Sequence, residues 1–258
     1  KMLSRSIKAR PTSQLFALLK IFNDPGMLCM DVLADFEIYG FEDQMKALQS
    51  LHSNYDQISK VVLYNNLVPT LMQVTVAVDR SLQGHQSPHN GSGRGTPPNR
   101  QSGITIGQML VESVAFILQK TSPIDFSRHV NEKLIHLLEQ CQTLEFKHRV
   151  LVHITSFTKH ASSGVIEQHL APLVYFCLQT DKNDVKVTAM ESLKEMSGYL
   201  QQMELDTNIL DEVLSTYDIP DCKLQNHVLR CLNTLVPLVS ISKLVSKMIP
   251  LLLRASKM

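Results

Sequence analysis

Ten histidines and five cysteines are the side chains of this sequence with the widest chemical reach, as metal ligands, nucleophiles or proton carriers. Their spacing withholds that chemistry. His148 and His153 stand five residues apart and His153 and His160 seven, and there is no HExxH. On a helix, five residues turn a side chain by about 140° from eclipsed, so His148 and His153 diverge instead of sharing a ligand. Cys29, Cys141, Cys177, Cys222 and Cys231 are odd in number and widely spread, with no CxxC pair. That excludes a disulfide framework or a zinc module as the organising feature, and the thiols read as small core residues of a reducing compartment. No glycine-framed serine suggests a strained nucleophile. GSGRG, residues 91–95, has the composition of a phosphate-binding loop, but no strand precedes it and no helix starts directly after it. The expectation is no enzyme, no cofactor and no metal.

The elements that would position these groups are helices. Apolar residues recur at helical spacing almost throughout, without period-two alternation, which predicts an all-α fold. Helices are predicted near 12–22, 26–38, 41–53, 56–79, 104–119, 124–141, 145–160, 164–180, 184–202, 206–217, 222–240 and 243–256. Ser122 is placed to cap one of them, with Pro123 at the first helical position and Asp125 at the positive helix end. Asn183 or Asp184 is placed to cap another. Short connections predict antiparallel neighbours.

Residues 81–103, SLQGHQSPHNGSGRGTPPNRQSG, break the pattern. They hold five of the ten glycines and no acid, and bury too little to offset the entropy of ordering. They read as a flexible, low-complexity insertion, in which Ser87-Pro88 and Thr96-Pro97 have the form of proline-directed phosphorylation sites at Ser87 and Thr96.

The helical pattern repeats. Phe146, Val185 and Leu224 lie 39 residues apart, as do Val150, Ala189 and Val228; Ile154, Leu193 and Leu232; and Phe157, Met196 and Leu235. Offsets of zero, four, eight and eleven put all four positions on one helix face. One period earlier stand Gly107, Val111, Ala115 and Leu118, apolar at three of the four. A two-helix unit with a period near 40 is the signature of an α-solenoid. Met190, Met196, Met203 and Met248 fall at or beside core positions and read as adaptable packing.

The unit HLAPLVYFCLQTDKNDVKVTAMESLKEM resembles the HEAT-repeat (armadillo-like) family. It has a proline in the first helix (Pro172), an aspartate at the turn (Asp181), the apolar–basic pair Val185-Lys186, then Ala189 and Leu193. LVPTLMQVTVAVD keeps Pro69 and Asp79, KMIPLLL keeps Pro250, and FKHRV supplies Phe146-Lys147; Leu224-Gln225 lacks the basic residue. The resemblance implies a right-handed α–α superhelix of about six hairpins. The opening on Lys1 suggests one segment, 1–258, of a longer protein, and the register, with Pro69 in a first helix and Val111 in a second, places 81–103 inside one repeat. The resemblance also implies that Asp181, Lys186 and Lys147 bond across units as a ladder, and that second helices line a concave face. The register then places His148, Val152, Lys159, Val187, Lys194 and Arg230, with Thr155, Glu191, Asn226 and Asn233, on the outward side.

Function follows only as a class. Net charge is +1 and 19% of residues are charged, which gives no basic stripe for nucleic acid. No apolar run approaches the roughly 20 residues of a membrane span, and the amino end, KMLSRSIKARP, lacks a secretory signal. A protein–protein scaffold of the cytoplasm or nucleus is the first expectation, its partner and oligomeric state open. The alternatives are the regulatory tail of a larger kinase or pseudokinase of the SCY1-like kind, and a tubulin-binding array of the TOG type. The absence of Trp and the acidic or mixed turns weigh against the last.

Overall fold

Four serines set the rhythm of the first helices. In the computed structural model, which describes residues 25–84, 100–200 and 209–256, the hydroxyls of Ser59, Ser122, Ser162 and Ser240 each accept the backbone N–H three residues on. Each satisfies one donor that a helix start leaves without a partner. Four residues after each serine the helix widens by one π turn: Leu63–Leu67, Phe126–Val130, Ile166–Leu170 and Leu244–Met248. In three of the four a proline follows closely, Pro69, Pro172 and Pro250. Its missing N–H and its ring forbid the ordinary bond to the carbonyl four residues back, and a widened turn relieves that clash. Phe126–Val130 widens with no proline behind it, so the ring is not the whole cause.

The helices, in chain order, are α1 (Pro25–Ala34), α2 (Phe41–Asn54), α3 (60–84), α4 (Arg100–Lys120), α5 (123–140), α6 (144–158), α7 (163–178), α8 (Asn183–Met196), α9 (Leu210–Thr216), α10 (Cys222–Leu235) and α11 (241–255). There is no strand among the described residues. The predicted helix at 12–22 lies outside them. Odd-numbered helices pack on one another in one layer, α1 on α3, α3 on α5, α5 on α7 and α7 on α9. Even-numbered helices do the same in a second layer, from α2 through α4, α6 and α8 to α10. The result is the all-α, solenoid-like stack of antiparallel hairpins that the 39-residue period implies. Five hairpins and a single last helix are described.

One continuous apolar core runs between the layers from Cys29 to Leu251. All twelve residues of the three-fold pattern are buried, as are Val111, Ala115 and Leu118 of the earlier unit. Met190, Met196 and Met248 are buried as expected, while Met203 falls outside the described residues. Gly107, the one position that departs from the pattern, faces α3. A Cβ there would lie 3.8 Å from Val78 and 3.9 Å from Leu82, and one at Gly103 would lie 3.2 Å from Leu82. The two glycines bring α4 close to α3.

That contact also corrects the insertion's limits. Residues 81–84 complete α3 and 100–103 open α4, because Leu82 packs where Gly103 leaves room. Ser87 and Thr96 lie outside the described residues. A second correction concerns capping: Lys182, not Asn183 or Asp184, flanks the start of α8, and no side chain caps it. Asn183 instead donates to Asp221 at the start of α10, 3.0 Å away. A third is at His153, where α6 breaks with φ −107° and ψ 24°.

Two stretches, Lys60–Gln83 and Gln101–Lys120, are long and apolar enough to cross a membrane by length and composition. In the stack they are the second hairpin, about half buried against both neighbours. Burial within a helical core explains their apolarity equally well.

Candidate interaction surface

The outward side of α6, α8 and α10 carries the residues that the register predicts. Val152 is 45% exposed, and Lys159, Lys194 and Arg230 are exposed. Thr155, Glu191, Asn226 and Asn233 are exposed with them. Because α8 packs on both α6 and α10, these side chains come from adjacent helices of one layer. In the register Val152, Glu191 and Arg230 are equivalent, as are Thr155, Lys194 and Asn233, so two rows, polar but for Val152, cross the three helices.

His148, Val187 and Lys159 sit differently. The imidazole Nε2 of His148 lies 3.1 Å from the Thr188 hydroxyl of α8, and the ring is half-buried. Desolvation holds its pKa below the usual histidine value, with Asp184 partly opposing, so it is neutral at neutral pH. Val187 is half-buried against the core. His148 stands at the seam of α6 and α8. Lys159, at the end of α6, donates from Nζ to the Gln119 carbonyl of α4, which places it at an edge of the layer.

Polar ties of this sort recur along the even-numbered layer. His52 and Ser113 approach to 2.9 Å, with the His52 ring stacked on Phe116 at 4.5 Å between centroids. Arg149 pairs with Glu112, His227 lies 3.7 Å from Glu191, and Ser192 donates to the Leu151 carbonyl at 2.9 Å. Histidine here serves as an inter-helix fastener. Burial lowers the pKa of His52 and of His153, the latter also through Arg149.

The expected ladder is built from other residues. Asp181 is exposed and has no hydrogen bond or ion pair among the described residues. Lys186 folds back onto the Leu178 carbonyl at the end of α7. Lys147 donates to Gln142 at 3.0 Å and lies 3.8 Å from the centroid of the Phe176 ring. Both ammonium stems are buried, since a long alkyl chain can line a core while its head finds local acceptors. Among the described residues the buried aspartate that crosses hairpins is Asp79, near the end of α3. It accepts from the Gln142 amide at 2.8 Å, the Thr143 amide at 3.4 Å and the Thr143 hydroxyl.

No group of three histidine, cysteine or acidic side chains is arranged to hold a metal among the described residues. Cys29, Cys141, Cys177 and Cys231 are buried, and desolvation raises their thiol pKa values, to about 12 for Cys29, Cys177 and Cys231. A thiol so held is not a thiolate at neutral pH and cannot act as a nucleophile.

One concavity was not foreseen. It opens where the short hairpin α1–α2 ends beneath the longer arms of α3 and α4, as a cleft of about 1040 Å³. The signal in the sequence was Ile38-Tyr39-Gly40-Phe41, three large apolar residues in a turn. They remain 82%, 38% and 42% exposed at Ile38, Tyr39 and Phe41.

No protein-family model matches this chain. No curated protein matches it either. Solved structures do, among them the crystal structure of Cex1p, with a TM-score of 0.54 at 10% sequence identity. The match covers 87% of this chain and 39% of the Cex1p chain, so the present sequence spans well under half of that protein's length. At this identity the likeness concerns the fold alone.

Proposed function

We propose that this chain is a non-catalytic scaffold that binds a protein partner along the outward side of α6, α8 and α10. One observation carries the reading: exposed Val152, Lys194 and Arg230 come from three successive helices that pack directly on one another. An apolar side chain rimmed by polar groups on a rigid layer suits recognition better than turnover. Mixed charge supports a protein partner over nucleic acid, because Glu191 interrupts the cations and no basic stripe forms. Buried, unpaired thiols fit a reducing setting, in the cytoplasm or the nucleus.

The test is quantitative affinity capture from cell extract with wild type and with Lys159, Lys194 and Arg230 all changed to Glu. Substitutions at exposed positions alter stability by about 0.5 kcal/mol each, and losing the Lys159 bond adds about 1 kcal/mol at most. Matched helical circular dichroism and melting of the two baits are therefore expected. A partner lost only from the charge-reversed bait supports the reading. Identical partner sets at matched folding refute the assignment of this surface.

A further inference from the structure

We propose that the cleft between the α1–α2 turn and the arms of α3 and α4 is a second binding site, for a linear protein segment that places large apolar side chains next to lysine or arginine. It lies apart from the outward side of α6, α8 and α10, shares no residue with it, and stands whether or not that surface binds.

The site is built before any ligand arrives. Gln44 of α2 donates its side-chain amide to the Phe36 carbonyl at 2.6 Å, and the Ile38 amide donates to the Asp35 carbonyl at 2.8 Å. These bonds hold the turn that presents Ile38, Tyr39 and Phe41. Phe36 and Leu33 beneath it are buried in the core, so the turn is anchored and not a loose loop. Opposite stand Val74, Ala77 and Val78 of α3 and Ile106 of α4, which make the far wall apolar.

The hydroxyls of Thr70 and Ser81 on the far wall are already spent. Thr70 donates to Asn66 and Ser81 to Val78, each within α3. Gln73 is exposed, lines the cleft, and makes no hydrogen bond among the described residues. Its amide can pair with a bound main chain, as peptide recognition in grooves requires.

Charge identifies the occupant. Among the described residues, the charged side chains lining the cleft are Asp35 and Glu37, both exposed and both acidic. Glu42 and Asp43 open α2 just beside it, and Asp43 is shared with Lys46 at 3.9 Å. An apolar groove with a carboxylate rim selects cations flanking apolar anchors and repels acidic segments. The volume, at the upper end of small-ligand pockets, suits a few residues of peptide.

The test uses the full chain and two fluorescein-labelled ten-residue probes, each with Phe and Leu four positions apart. Lysines flank these anchors in one probe and glutamates in the other. A third, all-lysine and serine probe lacks the anchors. Polarisation should show the lysine-flanked probe binding at least tenfold more tightly than either control. Asp35→Asn with Glu37→Gln should weaken it at least fivefold, and Ile38→Ser should do the same with unchanged circular dichroism. A benzophenone on the probe should cross-link to 38–44 and 70–81. Equal binding of the anchor-free probe would reduce the site to general electrostatics and overturn the proposal. So would cross-links confined elsewhere. Failure of the full chain to bind any probe, with residues 1–24 cross-linking to the cleft instead, would make that segment the occupant and also overturn it.

Discussion

Removing the Asp79 carboxylate tests how the hairpins are fastened. Asp79 is 3% exposed and reaches from α3 to the three-residue link between α5 and α6. There it accepts from both the amide and the hydroxyl of Thr143, and the same hydroxyl accepts from the Phe146 amide at 3.2 Å to cap α6. Asp79→Ala therefore leaves the buried Thr143 donors without an acceptor and frees the cap. A hydrogen bond to a charged group contributes about 1.5–3 kcal/mol, and a buried donor left unmade costs about 1–3 kcal/mol. The Gln142 amide is recovered in part by water, because Gln142 is exposed. The sum is about 2.5–6 kcal/mol, a large share of the roughly 5–15 kcal/mol that holds a domain folded. For a chain of this size it lowers the melting temperature by roughly 5–24 °C. Asp79→Asn keeps the shape but turns an amide N–H towards donors, and should cost about half as much. Because Asp79 and Thr143 act through one bond, Asp79→Ala and Thr143→Ala should fall short of additivity by about 1–2 kcal/mol. Urea denaturation gives the energies, and hydrogen exchange should show the first turn of α6 losing protection before α8. A loss for Asp79→Ala below about 1 kcal/mol, or strict additivity with Thr143→Ala, would refute the fastening.

Two further outcomes are expected. The Nε2 of His153 is buried with no hydrogen-bond partner, and burial holds its pKa below the ordinary value of 6.5, as it does for His52 and His148. Between the folded and unfolded values the unfolded chain binds more protons. Stability is thus full above about pH 6.5 and falls as pH drops through the lowered folded values. His153→Phe should stay within about 1 kcal/mol of wild type at pH 7.5 and lose less between pH 7 and pH 5; an unchanged slope in the urea midpoint would count against it. Gly107→Ala should stabilise by about 0.5–1 kcal/mol, since its new Cβ meets only ordinary contacts at 3.8 and 3.9 Å and the helix gains propensity; a lower melting temperature would mean that α3 and α4 already touch more tightly there.

Much of this molecule was legible in residue order. Helical periodicity is a local property, and four core positions recurring every 39 residues left little freedom in how the hairpins stack. The buried faces of α4, α6, α8 and α10 match those positions. Ser122 declares its cap within four residues of sequence. What lay beyond reach depends on what stands opposite. His148 and Lys159 have the composition of a ligand-binding ridge, and only the packing of α6 on α8 and α4 shows that Thr188 and the Gln119 carbonyl take up their hydrogen-bonding groups. Asp79 and Asp181 look alike in sequence, yet one is buried beneath the next hairpin's link and the other faces water.

The sequence by itself determined the helices, their inward faces and their order, because each is specified by neighbours three to eleven residues away. Tertiary structure decided which polar side chains remain available to a partner and where a cleft opens. Those depend on the relative lengths of α1–α2 and α3–α4 and on helix pairs distant in the chain, and no local pattern encodes them.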